Sequence, residues 1–375
     1  MSSPPFIAHR SPPGWSVPCY ASPAVKFVRL FLSVVCGVPI VGTLLGLSRR
    51  PHWVFRTWDF PRVQLAILAG LGALAYRLLA WRGRRSERAL VAASGAVVAW
   101  HLYRIRTYTP LTRPTVQRAT RTDPDNRITL MMSNVLEENR QYGRLLQRVE
   151  QEDPDVLVAV EVDDGWMEAL EPLAKRYPHV VRKPLNNTYG MVLFSRFELL
   201  APRIEFLIED DIPSIHTRLR LKSGVEVSLH ALHPRPPEPI HDQDSAPRDA
   251  ELVLVGRRVA KEEGPVIVAG DLNDVAWSDT SELFVRLSGL LDPRAGRGFY
   301  NSFNAQHPLF RYPLDHVFHS KHFKLVRIER LPDVGSDHFP ILIELQYEEE
   351  AELQQEESET KPGDEELAEK KLQEV

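Results

Sequence analysis

The chain has 375 residues, 43% of them hydrophobic and 26% charged, with only two cysteines. That composition fits one large domain plus a smaller unit, and it excludes an intrinsically disordered chain and a disulfide scaffold. The formal charge of -4 sums three unlike regions: 17 Lys and Arg against two acids over 1–122, 12 acids against three Lys over 348–375, and a net -10 between them. Because Cys19 and Cys36 both lie near the start, a four-cysteine zinc site and a C-x-x-C redox pair are excluded from the rest of the chain.

Residues 1–26 read as a leader. Residues 27–47 are almost wholly apolar, about the 20 residues that a membrane crossing needs. Their one charge, Arg29, is at the end, where it can snorkel. A second span, 63–81, is interrupted only by Gln64 and Arg77 and contains the small residues Ala69, Gly70, Gly72 and Ala73, which let membrane helices approach closely. A third, 89–105, is short and counts as a span if Arg104 reaches the headgroups; otherwise it is an amphipathic or re-entrant hairpin. A cleaved signal peptide is disfavoured because no small-x-small site precedes Arg49 and Arg50. The dense basic loop 82–88 points to the cytoplasm, which with three spans puts the following domain outside and with two reverses the answer.

Residues 106–127, rich in Thr, Pro and Arg, read as a linker near the bilayer surface. From there short apolar runs alternate with amphipathic stretches. Strands are expected at 128–135 and 155–162, with a crossover helix over 139–152. Further strands are expected at 191–195, 215–221 and 225–233, the last two joined through Lys222, Ser223 and Gly224, then at 266–272, 314–318, 323–331 and 339–345. Helices are expected at 248–263 and 281–291. Two strand-rich halves with their own helices predict two sheets packed face to face with helices outside. The acidic run 348–375 has few apolar residues to bury and reads as a disordered, solvated tail.

The polar residues of this domain stand where strands end: Asn134, Glu161, His233, Asp271, Asn273, Asp315, Asp337 and His338. Singly, an Asp or Asn after a strand is usually a turn residue, and a lone His among apolar residues is usually core. Together, converging carboxylates without cysteine call for a hard cation such as Mg²⁺, Mn²⁺ or Ca²⁺. Adding histidines and asparagines suits attack of water on a phosphoryl group.

The segments Ser133-Asn134-Val135-Leu136, Val158-Ala159-Val160-Glu161-Val162, Tyr189-Gly190-Met191-Val192-Leu193-Phe194-Ser195-Arg196, Leu232-His233-Pro234, Gly270-Asp271-Leu272-Asn273, Leu314-Asp315-His316-Val317 and Gly335-Ser336-Asp337-His338-Phe339-Pro340 resemble, in order and spacing, the endonuclease/exonuclease/phosphatase superfamily with the deoxyribonuclease-I-like fold. The resemblance implies a four-layered α-β-β-α sandwich over 128–347, preceded by transmembrane helices as in some bacterial, inner-membrane members. It implies Mg²⁺, or Mn²⁺, held by Glu161 with help from Asn134 and Asp337. It further implies that Asp271 activates the water, that Asn273 holds a phosphate oxygen, that His233 donates to the phosphate or protonates the leaving oxygen, and that His338, oriented by Asp315, polarises the phosphate or acts in acid-base transfer. His230 competes with His233 for the second-histidine role, and Pro234 favours His233. Tyr189 is a phosphate contact or a packing residue. Some nuclease members carry an acid where this chain has Leu136, and Glu137 and Glu138 follow it in uncertain register.

The superfamily cleaves nucleic acids, phosphoinositides, sphingomyelin and nucleotides, so the fold does not choose a substrate. A nuclease-type phosphodiesterase is the first expectation, and a phospholipid or nucleotide phosphoesterase the alternative. The net -10 of the domain argues against tight, processive nucleic-acid binding. A membrane-tethered binding protein without turnover is the rival class, although no principal site position is chemically broken. The proline-rich loop 234–249 beside His233 is the candidate specificity element.

Overall fold

A computed structural model describes residues 23–237 and 244–375; most of the leader and the middle of the proline-rich loop lie outside the described residues. The N-terminal region forms α1 (Pro23–Gly46), the single turn α2 (Trp53–Arg56), α3 (Arg62–Leu79) and α4 (Arg85–Ile105). α1 and α3 meet through a small residue, since a Cβ on Gly72 would lie 3.0 Å from Val35, and Gly42 of α1 likewise makes room for the Trp58 ring of the turn before α3. Among the described residues, α1 and α3 are the two helices long and apolar enough to cross a membrane.

The expected third span lies inside α4, which packs along both other long helices but does not match them in apolarity. Its Arg104 does not turn outward to headgroups: it pairs with Asp279 at 2.8 Å and donates to the Trp277 carbonyl at 2.7 Å. Arg29 likewise does not snorkel, but pairs with Glu87 at 3.0 Å and donates to the Ala80 carbonyl. Both basic side chains find partners within the fold, and a paired guanidinium has no need to seek water.

The remaining chain gives, in order, β1 (Arg127–Asn134), α5 (Tyr142–Glu152), β2 (Val156–Val160), α6 (Asp164–Leu170), β3 (His179–Lys183), β4 (Met191–Ser195), β5 (Glu198–Glu205), β6 (Ser214–Arg220), β7 (Glu226–Leu232), α7 (Ala246–Val259), β8 (Val266–Asp271), α8 (Asp279–Ser288), β9 (Asp315–His319), β10 (Phe323–Arg330), β11 (Ile341–Tyr347) and α9 (Asp364–Gln373). One sheet has the order β10-β11-β1-β2-β4-β3, the other β5-β6-β7-β8-β9. The period-2 pattern explains the layers. Ile128, Leu130 and Met132 of β1 and Val156, Val158 and Val160 of β2 face Ile267 and Ala269 of β8 across the central core. The alternate residues Met131, Leu157 and Ala159 face outward onto Leu145 and Val149 of α5 and Trp166 of α6. Val266 and Val268 of β8 face Leu252 and Val255 of α7 and Phe284 of α8. The result is a four-layered α-β-β-α sandwich, in which each buried Leu, Val or Met contributes roughly 1.5–3 kcal/mol of hydrophobic stabilisation.

β3 and β5 were not expected from sequence. Both are edge strands, and β5 is largely exposed, so neither carries the apolar alternation that marks a buried strand. The expected linker 106–127 is an ordered strap. Val116 enters the central core, and Gln117 and Ala119 exchange backbone hydrogen bonds with Leu325 at 2.9 Å each.

The expectation of a disordered tail is also corrected. Leu367, Ala368 and Leu372 of α9 pack on Val253, Leu283 and Leu287. Lys371 donates to Asp249 at 2.6 Å, Arg257 to Glu365 at 2.6 Å, and Arg286 to Asp364 at 2.7 Å. The acidic charge of the tail answers arginines on α7 and α8, a match between surfaces that the tail sequence alone cannot show.

Candidate active site

Sheet register brings the polar strand ends to one edge of the sandwich. Asn134 pairs in register with Val160, which places Glu161 one residue beyond. Leu232 pairs with Gly270, setting His233 beside Asp271, and Asp271 itself pairs with Asp315. Gly270 permits this approach, because a Cβ there would collide with the Leu232 backbone. Three residues beside the site hold left-handed backbone: Leu136 at φ 59°, Glu161 at φ 62° and Asn273 at φ 51°. Each costs about 1–3 kcal/mol, strain that the surrounding strands must hold in place.

Asn134 joins the two central carboxylates. Its Nδ2 donates to Glu161 Oε1 at 2.6 Å and to Asp271 Oδ2 at 3.0 Å, while its Oδ1 accepts from the Leu136 N–H at 2.9 Å. Its oxygen thus gives one lone pair to the backbone, while its amide group bridges the two carboxylates. Burial, and secondarily the negative charges of Asp271 and Asp337, push the Glu161 carboxyl up to about 7 against the pull of Asn134 and His338.

His338 lies between two acids: Nδ1 is 2.7 Å from Asp315 Oδ2, and Nε2 is 3.5 Å from Asp271 Oδ2. Burial would lower its pKa, but Asp315 and then Asp271 raise it to about 10, so the ring is an imidazolium at neutral pH. Burial also opposes the charge on Asp271, yet His338 and His233 hold its carboxyl below the usual range. His233, with Nε2 4.0 Å from Asp271 and Nδ1 buried without a hydrogen-bond partner among the described residues, is pushed down to about 4 by burial and is neutral.

The other expected residues are arranged around this centre. Asn273 donates through Nδ2 to the Pro234 carbonyl at 3.0 Å, and its own N–H donates to Asp271 Oδ1 at 2.9 Å. The Tyr189 ring lies 5.5 Å from that of His233. Asp337 is half-buried on the rim, its carboxylate 3.4 Å from Ser336 Oγ. His230 is elsewhere, with Nδ1 2.7 Å from His216 Nδ1 and Nε2 3.1 Å from Glu262. Glu137 is near the site: its N–H donates to Glu161 Oε2 at 3.3 Å, and its carboxylate accepts from the Thr188 N–H at 2.5 Å.

Sequence reasoning missed three supporting residues. Ser302 Oγ accepts from the Asp315 N–H at 3.0 Å, the Phe303 ring lies 5.0 Å from that of His338, and the buried Arg248 donates to the Asn273 carbonyl at 2.7 Å. Ser302 and Phe303 sit in an irregular segment with no periodic signal. Arg248 is on a helix, where an arginine reads as surface.

The donor set fits a divalent cation. Asp271, Asp315 and His338 bring one potential ligand atom each within 4.8 Å of one another; the His338 imidazolium has no lone pair to give, so carboxylate oxygens would hold the ion, and Asn134 ties Glu161 to Asp271. Among the described residues no Lys or Arg forms an ion pair with Glu161, Asp271 or Asp337, and oxygen-rich sites of excess negative charge suit hard cations.

The profile of the Endonuclease/Exonuclease/phosphatase family matches residues 132–338. None of the curated proteins matches. Among solved structures the chain resembles the human Nocturnin catalytic domain with bound sulfate, at 18% identity and TM-score 0.49 over 60% of this chain and 97% of that one. It also resembles a family protein from Bacteroides thetaiotaomicron, at 20% identity and TM-score 0.48 over 60% and 96%. A humanised Danio rerio TDP2 is similar at 16% identity and TM-score 0.49 over 59% and 99%. The family match spans more than half of the chain and runs from β1 to His338, so it includes every strand end that builds the site. This protein therefore belongs to the Endonuclease/Exonuclease/phosphatase family and is a metal-dependent phosphoesterase.

Proposed function

We propose that this protein is a membrane-anchored phosphodiesterase that uses Mg²⁺, with Mn²⁺ as a substitute, to hydrolyse a phosphodiester by attack of water. The observation that carries the reading is the joined cluster Asn134–Glu161–Asp271 beside the ion pair His338–Asp315. Glu161 and Asp337 would hold the cation, with Asn134 fixing the Glu161 carboxylate. The bound ion would supply positive charge against the phosphoryl oxygens. Asp271, kept ionised by the His338 imidazolium, takes the proton of the attacking water. The imidazolium of His338, oriented by Asp315, gives its Nε2 proton to the ester oxygen that leaves as the P–O bond breaks, and Asp271, 3.5 Å away, returns the proton taken from water. Neutral His233 and the second N–H of the Asn273 amide bind the phosphate, and Tyr189 packs against His233.

Membrane anchoring rests on α1 and α3, whose outward residues Leu30, Phe31, Val34, Val41, Leu44, Ile67, Leu71, Leu74 and Leu78 are all large, apolar and exposed. A stripe of this length is far more apolar surface than water tolerates, and a bilayer would cover it. The last turn of α1, the start of α3 and the end of α4 face the catalytic domain, whereas Arg29, Ala80 and Glu87 meet at the far end. The basic loop 82–88 therefore lies at the end remote from the sandwich, and with α4 returning alongside α1 and α3 as a third crossing this supports a cytoplasmic loop and an extracytoplasmic domain in a bacterial inner membrane.

Nucleic acid is the first substrate reading. A phospholipid headgroup is the second, favoured by the position of the site's rim beside α3. The test is hydrolysis by the full chain in lipid nanodiscs, with Mg²⁺, Mn²⁺ or EDTA. The panel comprises plasmid DNA, single-stranded oligonucleotide, a bis-aryl phosphodiester and phospholipid vesicles, beside Asp271→Ala and His338→Ala. Metal-dependent turnover lost in both variants supports the reading; turnover that survives EDTA, or either substitution, refutes it.

A further inference from the structure

The segment 304–311 forms one wall of the active-site mouth and also reaches the start of α3. At one end, the Ala305 N–H donates to the Asp337 carbonyl at 2.7 Å, next to His338. At its tip, Gln64 Nε2 donates to the Leu309 carbonyl at 2.7 Å. Leu309 is 77% exposed and Phe310 57% exposed, an arrangement that costs hydrophobic free energy in water. The tip stands at the head of an apolar stripe, because Gln64, Ile67, Leu68 and Leu71 follow the i, i+3, i+4, i+7 spacing of one helix face. Ile67, Leu68 and Leu71 are themselves exposed.

Charge beside the tip matches an anionic surface. Arg311 and Arg330 both pack on the Phe339 ring, at 4.9 and 4.4 Å from its centroid. Their hydrogen bonds go to the backbone carbonyls of Asn301, Asn304 and Ala305, and among the described residues neither has an acidic partner within salt-bridge distance. An apolar tip flanked by unneutralised arginines is the composition that lies well at the headgroup boundary of a bilayer.

We infer that the Leu309–Phe310 tip inserts into the same bilayer that α1 and α3 span, with Arg311 and Arg330 on anionic headgroups, so that the mouth of the active site is held against the membrane surface. The inference rests on the membrane reading of α1 and α3. It makes a phosphoester presented at that surface the substrate favoured by position, whether the ester belongs to a lipid or to a polymer lying on it.

The test is nitroxide labelling of the full chain in nanodiscs of three parts phosphatidylcholine to one part phosphatidylglycerol, with Cys19 and Cys36 replaced by Ser. Labels are carried one at a time by Leu309→Cys, by Leu71→Cys as the helix control and by Leu353→Cys as the exposed control. Collision rates with oxygen and with a water-soluble nickel chelate report depth. The expected result is that the Leu309→Cys label prefers oxygen and sits about 5 Å or more below the headgroup boundary, shallower than the Leu71→Cys label. A nickel-preferring label at Leu309→Cys with an oxygen-preferring one at Leu71→Cys overturns tip insertion and leaves the membrane reading standing. Nickel preference at both positions overturns the two together.

Discussion

The imidazole of His338 is shared by two carboxylates of paired strands: Nδ1 stands 2.7 Å from Asp315 on β9, and Nε2 3.5 Å from Asp271 on β8. The first contact orients the ring and holds it protonated, and the second sets its Nε2 proton beside the group that receives one from water. Asp315→Asn removes the main influence holding the ring protonated while keeping the shape of the side chain. Its kcat is expected to fall about 10²- to 10⁴-fold, the usual worth of a positioned acid or base. KM should change much less, and steady-state kinetics on whichever substrate the panel identifies measures both.

Glu161 is expected to act through the cation. Mg²⁺ should raise the melting temperature of the wild-type protein, since a ligand that binds only the folded state stabilises it. Glu161→Gln should lose that response, and the Mg²⁺ concentration for half-maximal effect should rise by more than the roughly 10- to 100-fold that removing a ligand's supporting partner costs. Thermal scans across a Mg²⁺ titration read this without any substrate. An undiminished shift in the variant would remove Glu161 from the metal site.

Glu251 gives a pH-dependent expectation away from the site. It is buried in α7 with Oε1 unpartnered among the described residues, and burial, reinforced by Glu209, pushes its carboxyl from 4.5 up to about 8. A folded-state value above the unfolded one means that the fold prefers the neutral acid. The preference costs nothing below pH 4.5, and its cost grows until about pH 8. Glu251→Gln mimics the neutral form. It should raise the melting temperature at pH 8 by at least about 2 °C, the shift that ~1 kcal/mol gives a protein of this size, with the gain shrinking toward pH 5. A gain independent of pH would show that Glu251 is not titrating.

Lys371 ties the C-terminal helix to the catalytic half. Burial opposes the charge on Asp249, but Arg248 and then Lys371 hold its carboxyl well below the usual carboxylate range, and Arg248 in turn holds the Asn273 carbonyl. Lys371→Met leaves Asp249 with one cation and should cost about 1.5–3 kcal/mol, the worth of a buried charged hydrogen bond. Lys371→Arg should recover part of the loss. Chemical denaturation at pH 7 measures both, and a neutral Lys371→Met would show that the Lys371–Asp249 pair contributes nothing to stability.

Much of the site was legible in the chain because chemistry and strand periodicity coincide there. Asn134, Glu161, His233, Asp271 and Asp315 each stand at or next to the end of an apolar run, and a run with period 2 fixes both the strand and where it stops. The four layers followed from the same alternation, since a strand apolar on both faces must be covered twice. The edge strands β3 and β5 escaped notice because edges need not be apolar. Pro234 already favoured His233 over His230, but the bridging role of Asn134 and the support from Ser302, Phe303 and Arg248 depend on register between strands distant in sequence, which no local pattern contains.

What the sequence by itself determined is the inventory of this protein: two membrane-length helices, a two-layered sheet core with helices outside, and a set of carboxylates, amides and imidazoles suited to a divalent cation and a phosphoester. Only the tertiary structure decided how the parts join. It turned the strap 106–127 and the acidic tail into ordered elements, because Val116 and Leu367 find apolar partners and Lys371 finds a buried carboxylate. It placed the mouth of the site beside α3, through one hydrogen bond between Gln64 and Leu309. Composition and period report what a segment can bury, but only the folded chain brings together the surfaces against which it is buried.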